Sequence, residues 1–160
     1  MKIHPMPLGS AILIFIIGIC IGSVFTFGMS HWNAEVEKEE CRVIETKFLS
    51  YDVQYESKER IREIIIKCLN NERYYIDGTC ANESVENYLQ ALSEGEDITL
   101  LVHPNSNTIL QFSSDKYTIM SFNDSMTKIA NEKNGFIGLG IFLYFSALIG
   151  LYYIVIHFKK

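Results

Sequence analysis

Two stretches without a single charged residue bracket this chain. One runs from Leu8 to Met29, 22 positions, and the other from Phe136 to Ile156, 21 positions. A helix needs about 20 mostly apolar residues to cross roughly 30 Å of hydrocarbon. Inside a bilayer no water satisfies the backbone, so an isolated run of this kind must bond to itself as a helix. The spacing predicts two transmembrane helices, 8–29 and 134–157. A cleaved signal peptide would have a shorter apolar segment and an A-x-A-like cleavage site, and "FTFGMSHWN" (25–33) offers none. A buried core helix is a poor fit to the second run, which is long and ends in "HFKK".

Charge is distributed as unevenly as apolarity. All 19 acidic residues and 11 of the 14 basic ones fall within 30–133, a balance of −8, whereas the tails 1–7 and 158–160 carry only lysine. Positive flanks favour the cytoplasmic side. The expectation is an integral membrane protein with both tails cytoplasmic and 30–133 outside. An acidic outer segment excludes nucleic acid, which requires a basic stripe.

Within 30–133 the residue patterns predict a small α+β domain of about five or six strands and two helices, flanked by the two transmembrane helices. "CRVIETKFLSYDVQY" (41–55) is rich in β-branched and aromatic residues and partly alternates, as strands do. "RIREIIIKCL" (60–69) reads as a strand because of its three consecutive isoleucines. A short strand at Tyr74–Ile76 and an Asp-Gly turn follow. "NESVENYLQALSEG" (82–95) reads as a helix: Asn82 or Ser84 can cap it, Val85, Tyr88, Leu89 and Leu92 repeat at helical spacing, and Gly95 can end it. "DITLLVHPNSNTILQF" (97–112) is a hairpin. Ile98, Leu100 and Val102 share one face of the first arm and Thr108, Leu110 and Phe112 one face of the second, together a nearly continuous apolar face, and "PNSN" supplies turn chemistry. "KYTIMSF" (116–122) fits one more strand. A helix capped by Asn123, Asp124 or Ser125 should run into the second span, with a break conceivable at Gly135.

The four cysteines raise the question of redox state. Cys20 lies in the first span and packs as a small apolar residue. Of Cys41, Cys68 and Cys80, the pair Cys68–Cys80 is the favoured disulfide, because a short hairpin would bring the two together, although sequence alone leaves other pairings open. Without Cys-x-x-Cys spacing, three cysteines make a poor zinc site. Trp32, just past the first span, is placed to anchor the chain at the headgroup level, where indole rings concentrate. Glu35, Glu37, Glu39 and Glu40 read as a solvated linker.

Catalytic signatures are missing. No phosphate-binding glycine loop, His-Glu-x-x-His or Gly-x-Ser-x-Gly occurs. His103 falls beside the hairpin turn, on the face away from the core, with no Cys or Asp near it in sequence. No cofactor or metal is expected. Asn82-Glu-Ser and Asn123-Asp-Ser match the glycosylation pattern, which has meaning only in a eukaryotic secretory pathway. The spans are more informative: Gly18 and Gly22 form Gly-x-x-x-Gly, and Ser146 and Gly150 form a small-x-x-x-small pair, spacings that let helices approach closely. Neither span holds a charge, which argues against an ion path through them.

"RYYIDGTC" (73–80), "ALSEGEDITLLVHPNSNTILQF" (91–112) and "FIGLGIFLYFSALIGLYYIVI" (136–156) resemble a group of bacterial membrane proteins with two spans, short cytoplasmic tails and a small β-rich outer domain. That resemblance implies fold, topology and a bacterial plasma membrane, and brings no activity. "CRVIET" (41–46) after the first span also resembles the auxiliary β subunits of calcium-activated potassium channels, whose outer loop is longer and richer in cysteine. Taken together, the residues predict a non-enzymatic, membrane-anchored protein. Its outer domain would bind a membrane or extracytoplasmic protein as an accessory, sensing or protective subunit. The alternative is a subunit of an oligomeric channel or transporter. Either could be a homo-oligomer, and both have the lipid bilayer as solvent.

Overall fold

The computed structural model describes residues 6–28, 36–58 and 60–159. Among the described residues it is α+β, with a six-stranded antiparallel sheet and three α-helices. Contacts divide it into two units, Met1–Ala34 with Asn131–Lys160, and Glu35–Ala130.

The first unit contains α1 (Leu8–Ser23), a π-helical turn (Val24–Gly28) and the greater part of α3 (Phe122–Phe158). Both Leu8–Gly28 and Phe122–Phe158 are long and apolar enough to cross a membrane. Gly135 does not break α3, which is continuous over 37 residues. One glycine costs a helix about 1 kcal/mol relative to alanine, little against the hydrogen bonds on either side of it.

The second unit is built on β1 (Arg42–Tyr55), β2 (Ile61–Cys68), β3 (Arg73–Asp77), β4 (Asp97–Val102), β5 (Ile109–Ser114) and β6 (Thr118–Met120), with α2 (Glu83–Gln90) between β3 and β4. The sheet order is β3-β2-β1-β4-β5-β6. The length of β1 explains that order. Its first half, Arg42 to Lys47, pairs with β4, and its second half, from Phe48, pairs with β2. The register shifts between Phe48 and Ser50. An extra residue there bends and twists the strand. At the far end Tyr75 of β3 bridges Thr108, just before β5, and the Tyr75 amide donates to the Asn107 carbonyl at 2.9 Å. The edge of β3 is therefore covered by the chain itself, one way a sheet avoids presenting an unpaired edge.

The core lies on one face of this curled sheet. Ile64, Ile66, Ile76, Leu100, Val102 and Phe112 are fully buried there, closed over by Val85, Leu89 and Leu92 from α2 and its exit, and by Ile129 from the first turns of α3. Each fully buried side chain of this size contributes about 1.5–3 kcal/mol. The Asn82 side chain caps α2 by accepting from the Val85 amide at 2.9 Å. The helix stops at Gln90, short of the expected Gly95. That glycine instead takes a left-handed φ of +83° in the turn before β4. The 97–112 hairpin forms as expected with one change of register: Leu101 pairs with Gln111, but Val102 pairs with Ile109. Ile109 and Leu110 are consequently both buried, and Thr108 leaves the core face to meet β3.

Candidate functional site

In the first unit, the structure brings small residues of α1 and α3 into backbone contact. Ala11, Gly18 and Gly22 are the buried positions of α1. A Cβ added at Gly18 would lie 2.7 Å from the Leu143 carbonyl oxygen and 2.8 Å from the Ala147 Cβ. At Gly22 it would lie 3.2 Å from the Gly140 carbonyl oxygen. At Gly150 it would lie 2.8 Å from the Ala11 carbonyl oxygen and 3.0 Å from the Phe15 amide nitrogen. At Gly140 it would collide with Thr26 Oγ1. Gly18, Gly22 and Gly150 thus pack helix on helix. Ser146 does not share that role: its hydroxyl donates to the Phe142 carbonyl of its own helix at 3.2 Å, and its neighbour Ala147 is the buried one.

Polar groups pin the same contact. Ser23 Oγ and the Tyr144 hydroxyl are 3.0 Å apart. Thr26 Oγ1 donates to the Gly22 carbonyl at 2.7 Å, inside the turn where α1 widens into π-helix. Phe25 and Phe136 stack with ring centroids 5.8 Å apart. Large apolar side chains of α1 and its π-helical turn, and of α3 beyond Phe136, are exposed, including Leu13, Ile16, Val24, Phe142, Phe145 and Leu148. The sequence pointed to Gly18, Gly22 and Gly150 through their four-residue spacings. It missed Gly140, Ala147, Ser23 and Tyr144. Gly140, Ala147 and Gly150 do recur every seven or three residues, a stripe that a search beyond small-x-x-x-small pairs would have found.

In the second unit, His103 belongs to a turn. Its Nδ1 accepts from the Asn105 amide at 3.2 Å, and its own amide donates to the Thr108 carbonyl at 2.9 Å. Arg42 braces the same turn, donating to the Ser106 carbonyl at 2.6 Å and to Asn107 Oδ1 at 3.1 Å. Among the described residues no group of His, Cys, Asp and Glu is arranged to hold a metal.

The expected Cys68–Cys80 bridge is not formed in the structure. The strand register gives the reason. β2 and β3 pair antiparallel from Lys67↔Arg73 to Glu63↔Asp77. Cys68 follows Lys67 at one end of the hairpin and Cys80 follows Asp77 at the other. The two cysteines therefore leave the paired region at opposite ends of the hairpin. Burial pushes the Cys68 thiol up from its ordinary value, and the Cys80 Sγ lies 3.9 Å from the Ser125 carbonyl oxygen. Cys41 is half-buried, and its thiol is raised first by burial and then by Glu40 and Glu39. Trp32, the expected headgroup anchor, lies outside the described residues.

Two open clefts mark the domain surface. One, of about 320 Å³, is lined by Glu63, Tyr75, Asp77, Ser106, Asn107 and Thr108. The other, of about 420 Å³, lies where the β1–β2 turn faces the start of α2, with Lys58 and Arg60 on one side and Glu83 and Glu86 on the other. Comparison with protein-family models, with curated proteins and with solved structures found no significant match.

Proposed function

We propose that the chain is an integral membrane protein with two spans, whose α+β domain binds another protein and performs no catalysis. The observation that carries this reading is the division of surface in the first unit. Its two helices bury their small residues against each other and turn large aliphatic and aromatic side chains outward. A water-soluble helix pair does the reverse, since exposed apolar patches beyond a few hundred Å² are rare on soluble proteins. Lipid is the solvent such a surface suits. The domain between the spans carries the acidic excess and lies outside, with both tails cytoplasmic. The hydrogen bonds that tie His103 into its turn and the burial of Cys68 and Cys80 support a binding role over a catalytic one.

Cysteine labelling tests the topology. Cys41 is the accessible thiol of the domain, while Cys68 and Cys80 are buried. An impermeant maleimide applied to intact cells at mildly alkaline pH should label the protein, and Cys41→Ser should abolish the labelling. Labelling seen only after permeabilisation would reverse the topology. For the binding role, extraction in mild detergent should recover the chain together with a stoichiometric protein partner. A lone monomer under several such conditions would count against it.

A further inference from the structure

β1 changes partners midway, and the change leaves backbone groups with nothing to bond. The hydrogen bonds around it fix which way each residue faces. The Leu69 amide donates to the Lys47 carbonyl at 3.0 Å, so Lys47 faces the β2 side. The Phe48 amide donates to the Glu96 carbonyl at 2.9 Å, and the Gly95 amide to the Phe48 carbonyl at 2.7 Å, so Phe48 faces the β4 side. The Cys68 amide donates to the Glu72 carbonyl at 3.1 Å, so Cys68 faces β3. Bonded and unbonded pairs alternate along an antiparallel ladder. Lys67, Ile65 and Glu63 therefore turn their backbones to β1, where register sets them against Ser50, Asp52 and Gln54. The N–H and C=O of Tyr51 and Val53 point the other way, towards the side that β4 occupies further back. β4 does not reach them: its pairing with β1 stops at Asp97↔Lys47. Among the described residues no hydrogen bond meets the backbone of Tyr51 or Val53 from that side.

Open edges are rare, because unpaired N–H and C=O groups are a template for another strand. The rest of this sheet is protected. The edge of β3 is covered at Tyr75 by 107–108, and β6 is only three residues long. The free side of the first half of β1 is guarded by the charges of Arg42, Glu45 and Lys47. The stretch 49–55 holds one charge, Asp52, and neither lysine nor proline. Among the elements, the close neighbours of β1 are β2 and β4. Tyr51 and Val53 are half-buried, with their side chains packed against the core.

We propose that this edge receives an extended segment of a different protein, added to the sheet as a strand antiparallel to β1. Such strand addition draws its affinity from main-chain hydrogen bonds and its specificity from alternate side chains. Each incoming residue set opposite Tyr51 or Val53 exchanges both backbone bonds with it. Its side chain falls on the core face, where β-branched and aromatic pairs are favourable. The incoming residue between those two falls on the outer face, opposite the exposed Asp52, and a lysine or arginine there is attracted. The same carboxylate argues against a second copy of the chain, because symmetric pairing of 51–53 with itself sets Asp52 against Asp52, and like charges directly opposite are destabilising. The segment that fits therefore reads apolar, basic, apolar. The inference rests on the reading above in taking the domain to bind a protein, and it specifies the mode of binding.

The test is amide hydrogen exchange on the full chain in detergent micelles, with the blocked peptide acetyl-Val-Thr-Val-Lys-Val-Thr-Val-amide as probe. In the free chain the amides of Tyr51 and Val53 should exchange as fast as those of open loops, while Asp52, bonded to β2, stays protected. The peptide at about 1 mM should slow Tyr51 and Val53 by at least about tenfold. The same peptide N-methylated at the valines flanking its lysine keeps every side chain, loses those donors, and should leave both rates unchanged. Asp52→Lys should weaken the lysine peptide about two- to fivefold and favour one with glutamate in the lysine's place. If that variant does not fold, the N-methylated probe on the wild type carries the test alone. Protection of Tyr51 and Val53 already present in the free chain, no slowing by the peptide, or equal slowing by its N-methylated form would each overturn the proposal, as would an Asp52→Lys chain that binds both peptides alike. Protection that grows with the concentration of the free chain would put a second copy on the edge and overturn the choice of partner. Failure of the peptide, in a chain that still retains a different protein through purification, would overturn this inference and leave the reading above standing.

Discussion

Gly78 shows how closely single residues are specified. Its φ lies outside the left-handed region, so backbone freedom does not explain it. A Cβ there would stand 2.5 Å from the Arg62 carbonyl oxygen and 2.6 Å from that of Ile61. Gly78→Ala should therefore lower stability by about 1–3 kcal/mol in denaturant titration, the usual cost of forcing atoms into a packed site. Gly135→Ala, with open space around it, should be neutral or stabilising by up to ~1 kcal/mol. Tyr74 makes a second prediction at this scale. Burial, and after it the Glu72 carboxylate accepting from its hydroxyl at 2.6 Å, push its pKa up to about 12. A raised acid holds its proton more tightly folded than unfolded. Its contribution is thus present in full below about pH 10, the ordinary tyrosine value, and is lost as pH rises to about 12. Tyr74→Phe should remove that alkaline loss from a plot of stability against pH, and an unchanged slope between those limits would contradict it. The sequence could not reveal either residue. Gly78 matters through a carbonyl sixteen positions away, and Tyr74 through a partner that only strand geometry brings within reach.

Elements were more legible than their pairings. The strands of β1 and β2 follow from runs of β-branched and aromatic residues, and α2 from its Asn82 cap. What periodicity could not supply were the two irregularities that shape the sheet. The shift between Phe48 and Ser50 lets β1 serve two neighbours, and the shift at Val102 buries Ile109 and Leu110 together. A bulge adds one residue and leaves composition unchanged, so alternation alone does not announce it. The Cys68–Cys80 expectation met the same limit: proximity in sequence was visible, and antiparallel register was not. In the helix pair, four-residue spacing identified Gly18, Gly22 and Gly150 but also Ser146, because small size says nothing about which way a residue faces. This yields a paired test. Gly18→Leu should lower the unfolding midpoint in an SDS titration followed by circular dichroism, since no room exists beside Leu143 and Ala147. Ser146→Ala should leave it within error, its hydroxyl being engaged within its own helix. Equal effects would contradict the assigned interface.

At the scale of the whole molecule, the proposed reading divides the chain between two solvents. The 21-residue, mostly apolar segment Leu8–Gly28 and a second long apolar helix ending at Phe158 suit hydrocarbon. The acidic α+β domain has an internal core of its own and suits water. The uncharged runs made two helices long and apolar enough to cross a membrane legible in the sequence. Function was far less legible, since partner recognition depends on surface charge and shape that are set only once the strands are in register. The membrane assignment is tested most directly by washing membranes that contain the chain in alkaline carbonate and centrifuging them. The protein should remain in the pellet through carbonate and through high salt, and leave it only with detergent. Complete release into the supernatant without detergent would contradict two helices buried in lipid.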